Sequence, residues 1–219
     1  MDVYRGVIAL LNRVPYNAVA SRLVQKSVVR IRDGAVRTRY GYLIDFRRTG
    51  HFASGLRALV ISGSYERPYF EMLGRIINQG DWVVDIGAHE GYVSLFLSAT
   101  VGPGGRVFAV EPNPENVALA SRNIELNRCS NTELIETAVG DRRGRTSFYC
   151  SPDAGANGSL INFSYFQNER IEVDVRTVDD LFGGLERLDF LKIDTEGSEL
   201  EVLFGGGRSP VASQAVNLL

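Results

Sequence analysis

Two acidic residues and two glycines in residues 82–112, WVVDIGAHEGYVSLFLSATVGPGGRVFAVEP, have the spacing of a nucleoside-binding site. Asp85 stands two residues before Gly87, and Glu111 stands twenty residues past Gly91. A carboxylate so placed, at the carboxyl end of the next strand, can accept hydrogen bonds from two ribose hydroxyls. The turn discriminates between cofactors. A G-x-G-x-x-G turn brings backbone N–H groups close to a doubly negative pyrophosphate. Here the pattern is Asp85-x-Gly87-x-x-x-Gly91, with one glycine fewer and a carboxylate beside it. Unit charges about 4 Å apart interact by roughly 4 kcal/mol at an effective dielectric near 20. Asp85 therefore disfavours pyrophosphate and suits a cation. S-adenosylmethionine offers an ammonium, a sulfonium and a ribose without phosphate, and NAD(P) is the competing reading.

A second cluster, Asp194-Thr195-Glu196-Gly197, follows an apolar run at 188–193. Ligands of open α/β folds bind at the carboxyl edge of the sheet, where Asp194 would stand. A sulfonium methyl is already electrophilic, so the protein must chiefly align the incoming nucleophile at about 3–3.5 Å. A neutral hydroxyl benefits from a base. Asp194 and Glu196 are the candidate catalytic residues, with His89 a weaker third. Glu196 suits equally a capping role on the next helix, and Lys192 suits pairing with a buried carboxylate. The cluster contains no Asn-Pro-Pro-Tyr segment, which argues against amino methylation of nucleic acid. It contains no cysteine for covalent attack on a pyrimidine.

The elements that must hold these residues read as alternating strands and helices. The short apolar run at 82–86 is a strand, 93–101 a helix packed on a sheet, and 106–110 a buried parallel strand. Asn113-Pro114 opens a helix that runs to about Asn127, with asparagine as cap and proline in the first position. Residues 134–139 form a third strand, and 188–193 a fourth. Residues 146–150 and 171–176 form an added antiparallel pair, joined by a segment at 151–167 that is a candidate substrate loop. Thr177-Val178-Asp179-Asp180 has capping-box spacing, and 198–204 is a helix closed by Gly205. Ahead of the core, 2–27 has helical spacing broken at Pro15, 28–47 suggests a hairpin turning at Asp33-Gly34, and 69–78 is a helix. This order predicts an α/β fold with a doubly wound, mainly parallel sheet.

Five segments in order make the resemblance specific: YERPYFEML near residue 65, VVDIGAHEGYVS, VFAVEPNPENVALASRNIELN, ETAVGD, and DFLKIDTEGSELEVLFGG at 189–206. Over residues 63–206 the chain resembles the FkbM-type family of S-adenosylmethionine-dependent methyltransferases. The resemblance implies a Rossmann-like class I methyltransferase domain at 63–219 behind an N-terminal helical and hairpin appendage at 1–62. It implies S-adenosylmethionine as cofactor and a small-molecule, sugar or glycan hydroxyl as acceptor. Carried over by position, Asp85, Gly87 and Ala88 line the methionine end, Glu111 the ribose, and Thr137 with Ala138 the adenine edge. Gly91 and Asn113 complete the cofactor set, and Asp194 faces the transferring methyl. Tyr65 and Glu66 are expected to lid the cofactor pocket. No metal ligands are assigned. The family pattern continues with further strands, whereas this chain stops at Leu219. The expectation is a sheet lacking its last strands, with an exposed apolar edge. A non-catalytic cofactor- or partner-binding module therefore stays open beside the enzyme.

Composition sets outer limits. With 44% hydrophobic and 23% charged residues over 219, the chain can build one large core. Its two cysteines, Cys129 and Cys150, are too few for a disulfide scaffold, so a reducing, cytoplasmic setting is expected. No run approaches the roughly 18 apolar residues that span a bilayer, and with Arg13 and Pro15 following the apolar patch at 7–11 no signal peptide is expected. The net charge of −2 divides into +7 over the first fifty residues and −9 over the rest. The basic stretch reads first as a solvated face of the appendage and second as a peripheral membrane contact. Few aromatics interleave with its arginines, which argues against nucleic acid.

Overall fold

The computed structural model describes residues 35–45, 60–61, 63–150, 158–160 and 169–207. The helices expected at 2–27, most of the substrate-loop candidate, most of the basic residues among the first fifty and the chain end at 215–219 lie outside them. The chain divides into two compact units, Met1–Ile76 and Ile77–Leu219.

In the first unit, β1 (Ala35–Arg37) pairs antiparallel with β2 (Leu43–Asp45), Val36 opposite Ile44. The alternation of Val36, Thr38, Tyr40 and Tyr42 predicts one continuous strand, but the chain reverses within it. Thr38 N donates to Tyr42 O at 2.8 Å, and Gly41 takes the positive φ of 93° that the turn needs. The expected turn at Asp33-Gly34 lies outside the described residues. Helix α1 (Arg67–Ile76) buries Phe70 and Leu73, and the Tyr40 ring stacks on Phe70 at 5.4 Å.

The second unit is built on a parallel sheet in the order β10-β3-β4-β5. Its strands are β3 (Trp82–Ile86), β4 (Arg106–Glu111), β5 (Thr132–Glu136) and β10 (Phe190–Ile193). Helices α2 (Tyr92–Val101) and α3 (Pro114–Asn127) connect β3 to β4 and β4 to β5. β3, β4 and β10 are buried along almost their whole length, as parallel strands covered on both faces must be. Their side chains Val84, Ile86, Phe108, Val110, Leu191 and Ile193 form one core with Phe182 and Val202. The fold is thus Rossmann-like, as the alternation of elements predicts.

One expected strand divides. Residues 134–139 are expected to form a single strand, yet β5 ends at Glu136 and β6 (Ala138–Val139) belongs to another sheet. The break is at Thr137, whose N–H returns to Glu111 O at 3.2 Å and whose hydroxyl donates to Asp174 O at 3.0 Å. The second sheet has the order β6-β9-β7-β8, where β7 is Gly144–Cys150, β8 Gly158–Ser159 and β9 Glu169–Arg176. β7 and β9 form the long antiparallel pair expected for them. Helix α4 (Val178–Phe182) starts with the reciprocal Thr177–Asp180 capping box, and α5 (Glu199–Phe204) ends at Gly205.

Candidate active site

The buried pair beneath the glycine turn is set by strand register. In the parallel ladder between β10 and β3, Lys192 lies opposite Asp85. Lys192 Nζ reaches Asp85 Oδ1 at 2.8 Å, and Ser94 Oγ donates to Asp85 Oδ2 at 2.6 Å. The same ammonium donates to Gly87 O at 3.2 Å and lies 3.6 Å from Asp194 Oδ2. Asp85 is 0% exposed and Lys192 5%. The cation that the charge argument reserved for a ligand is therefore the protein's own lysine. Asp85 organises the turn from below, and the interaction expected of Lys192 is present. Ser94 carries no sequence signal except its place in the first turn of α2.

The turn itself is shaped by close approach. Gly87 has φ 79°, and a Cβ there would stand 1.9 Å from Asp194 O. Gly87 N and Ala88 N both donate to Val110 O at 3.0 Å, and Asp194 N donates to Ile86 O at 3.1 Å. The loops after β3 and β10 thus touch backbone to backbone, a contact only glycine permits. Gly91, at φ 81°, caps the start of α2, and its Cβ would meet Ala120 at an ordinary 3.4 Å.

Glu111 closes β4 with its carboxylate 4% exposed. His89 N donates to Oε2 at 2.9 Å, while Asn113 N and Asn116 Nδ2 donate to Oε1 at 3.0 and 3.1 Å. His89 adopts φ 52° in this arrangement. Burial pushes the Glu111 carboxyl above the ordinary range. The three donors pull it back, and the Asp85 charge adds a further upward push. A carboxylate has about four acceptor positions, so two N–H bonds fill Oε1 while Oε2 keeps one. Asn116, unpredicted from sequence, sits in the first turn of α3, and Asn113 caps that helix through Glu115 N at 3.0 Å.

Asn113 also donates to Cys150 Sγ at 3.5 Å. Burial, with Glu111, Glu115 and Glu169 adding negative charge, pushes the Cys150 thiol up to about 11. It is a neutral packing group there rather than a nucleophile. Thr137 spends its hydroxyl on backbone carbonyls, and Ala138 packs with Phe148 and Val173 in the core of the second sheet.

The loop after β10 presents two carboxylates. The Asp194 side chain is 63% exposed. Glu196 sits at φ 54°; burial raises its carboxyl first, and Asp194 and Glu199 raise it further. The residue that organises the loop is Glu199, which the sequence reading passes over. Its Oε1 accepts from Thr195 N at 2.9 Å, Thr195 Oγ1 at 3.2 Å and Gly197 N at 3.0 Å. Burial pushes Glu199 up, but these donors together hold it below the usual range. The loop amides ahead of the last helix thus go to Glu199, three residues beyond Glu196, which the sequence offered equally as a base and as a cap.

Among the described residues, no cluster of three or more metal-ligating side chains occurs, and no helix is long and apolar enough to cross a membrane. A family model for the methyltransferase FkbM domain matches residues 85–219. Among curated relatives, the 2-O-methyltransferase NoeI of Sinorhizobium fredii is 29% identical over 76% of this chain and 73% of its own. Methyltransferase sdnD of Sordaria araneosa is 29% identical over 57% of this chain and 60% of its own. Methyltransferase 1 of Beauveria bassiana is 25% identical over 57% of each. The chain thus spans less than two-thirds of the length of some relatives that it matches. With the family model covering well over half of the sequence, the chain belongs to the FkbM methyltransferase family, and S-adenosylmethionine is its cofactor.

Proposed function

We propose that the protein transfers a methyl group from S-adenosylmethionine to a hydroxyl oxygen of a small molecule, sugar or glycan. The observation that carries the reading is the shared edge. Glu111 at the end of β4, the Gly87 turn after β3, and the Asp194 and Glu196 loop after β10 all stand at the carboxyl ends of adjacent strands. The likeness to a relative described as a 2-O-methyltransferase favours oxygen as the acceptor atom.

When bound, the cofactor supplies an electrophilic methyl carbon on a sulfonium. Gly87 and Ala88 would border its methionine end, Glu111 would accept from a ribose hydroxyl, and Asn113, Thr137 and Ala138 would flank the base. Asp85 and Lys192 hold the turn from beneath. On the acceptor side, Glu196 would accept the proton of the hydroxyl whose oxygen receives the methyl group that the cofactor supplies. Asp194, two residues before Glu196, helps raise the Glu196 carboxyl. A base with a raised pKa is better matched to a weakly acidic hydroxyl than an ordinary carboxylate is.

Binding is tested by thermal stabilisation. S-adenosylhomocysteine at 100 times its dissociation constant stabilises by about 2.7 kcal/mol. Glu111→Ala removes a charged hydrogen-bond acceptor worth about 1.5–3 kcal/mol, so affinity is expected to fall roughly 10- to 150-fold. An unchanged dissociation constant by calorimetry would place the ribose elsewhere.

The pH profile tests the base. Because the Glu196 carboxyl is raised, its active, ionised form is lost at a higher pH than for an ordinary glutamate, near 4.3. Methyl transfer to a panel of hydroxyl acceptors should fall with an acid limb displaced upward. Glu196→Gln should lower the rate by about 100-fold or more and abolish that limb. A limb that persists in Glu196→Gln assigns it to another group.

A further inference from the structure

The loop that carries Glu196 is held from a second direction, by a residue of the other sheet. Ser159 Oγ donates to Glu196 O at 2.8 Å, and Ser159 is 5% exposed. Its position is closely fixed. β8 pairs antiparallel with β7, Ser159 opposite Tyr149 and Gly158 opposite Cys150. The Phe148 ring occupies the place of a Gly158 side chain, since a Cβ there would stand 2.1 Å from Phe148 Cε1. Only glycine lets β8 lie this close to the ring, and that approach delivers the Ser159 hydroxyl to the loop.

The bond falls where the backbone needs help. Glu196 has φ 54° without being glycine, a conformation that persists only when its surroundings impose it. On one side, the Glu199 carboxylate holds the flanking N–H groups of Thr195 and Gly197. On the other, the Ser159 hydroxyl takes the carbonyl of Glu196 itself. A peptide clamped at both ends fixes the direction in which its side chain leaves the backbone.

We propose that Ser159 is a positioning residue for methyl transfer, holding the Glu196 peptide so that its carboxylate is aimed at the acceptor hydroxyl. The assignment rests on the reading of Glu196 as the acceptor-side base. It couples β8 of the added sheet to the acceptor side, whereas the residues proposed for the cofactor lie on β3 and β4, in the turns that follow them, and at Thr137 and Ala138.

Amide hydrogen exchange of the full chain tests this without an acceptor. In Ser159→Ala, exchange at Thr195 and Gly197 should accelerate about 5- to 10-fold, the effect of losing one hydrogen bond. The amides of the β7–β9 ladder and the affinity for S-adenosylhomocysteine should stay at wild-type values. Ser159→Thr, which keeps the hydroxyl, should restore the slow exchange. Unchanged exchange at 195 and 197, equal acceleration along β7 and β9, or failure of threonine to restore it would each overturn the proposal. Loss of the Glu196→Gln effect on turnover would instead overturn the role of Glu196 and leave the exchange result standing.

Discussion

Lys192→Met is expected to lower the melting temperature by about 6–20 °C. The methionine fills similar volume but leaves the Asp85 carboxylate wholly buried, with the Ser94 hydroxyl still donating to it. Breaking a buried ion pair from one side costs about 3–5 kcal/mol, because the abandoned charge has lost its water and its partner together. In a chain of this size each kcal/mol displaces the melting temperature by roughly 2–4 °C. Removing both charges should cost much less, since a buried pair can be exchanged for neutral groups at little net loss. Asp85→Asn with Lys192→Met should therefore recover most of the stability, asparagine still accepting from Ser94. Salt up to ~1 M should not narrow the gap, because a fully buried pair is scarcely screened. A single variant that melts within ~2 °C of wild type would show the pair to be dispensable.

Gly87→Ala is expected to disable the cofactor turn. A Cβ at 1.9 Å from Asp194 O cannot be accommodated by rotating a side chain, because the obstacle is backbone. Asp194 is itself tied to β3 through its N–H to Ile86 O at 3.1 Å. The positive φ of 79° adds a left-handed penalty of about 1–2 kcal/mol. Relief requires the loops after β3 and β10 to separate, which moves both the turn and the acceptor-side carboxylates. A loss of about 3 kcal/mol or more is expected, with affinity for S-adenosylhomocysteine reduced at least ~10-fold by the misplaced turn. Gly91→Ala is the comparison. It has a similar φ of 81° but an ordinary 3.4 Å contact with Ala120, so its cost should stay near ~1–2 kcal/mol. Urea melts and calorimetry separate the two. Equal losses at both glycines would mean that backbone conformation alone, and not the contact with Asp194, governs the turn.

These two effects mark how far residue order reaches. The glycine turn, Glu111 at the end of its strand, the Asn113 cap and the Thr177 capping box are local devices. Each depends on residues within a turn or one strand–helix unit, so spacing reveals them. The parallel sheet follows from alternating apolar runs for the same reason. The FkbM likeness rests on segments that are themselves contiguous.

What spacing could not show are the contacts between elements distant in sequence. Asp85 and Lys192 are 107 residues apart, and only the register of β10 on β3 sets them side by side. Charge alone makes Asp85 look like a ligand's anion; strand pairing makes it the lysine's. The break at Thr137 is not legible in the order of residues, because it depends on hydrogen bonds to Glu111 and Asp174 from two other strands. Glu196 and Glu199 stand three residues apart in one motif, and composition cannot tell which serves the loop amides. The local backbone assigns them to Glu199, and Ser159 reaches Glu196 from a strand of another sheet. The sequence by itself thus determined the fold class and the family. Tertiary structure decided which carboxylates are engaged by the protein, Asp85 by Lys192 and Glu199 by the loop amides, because hydrogen-bond partners are chosen by proximity in space and not along the chain.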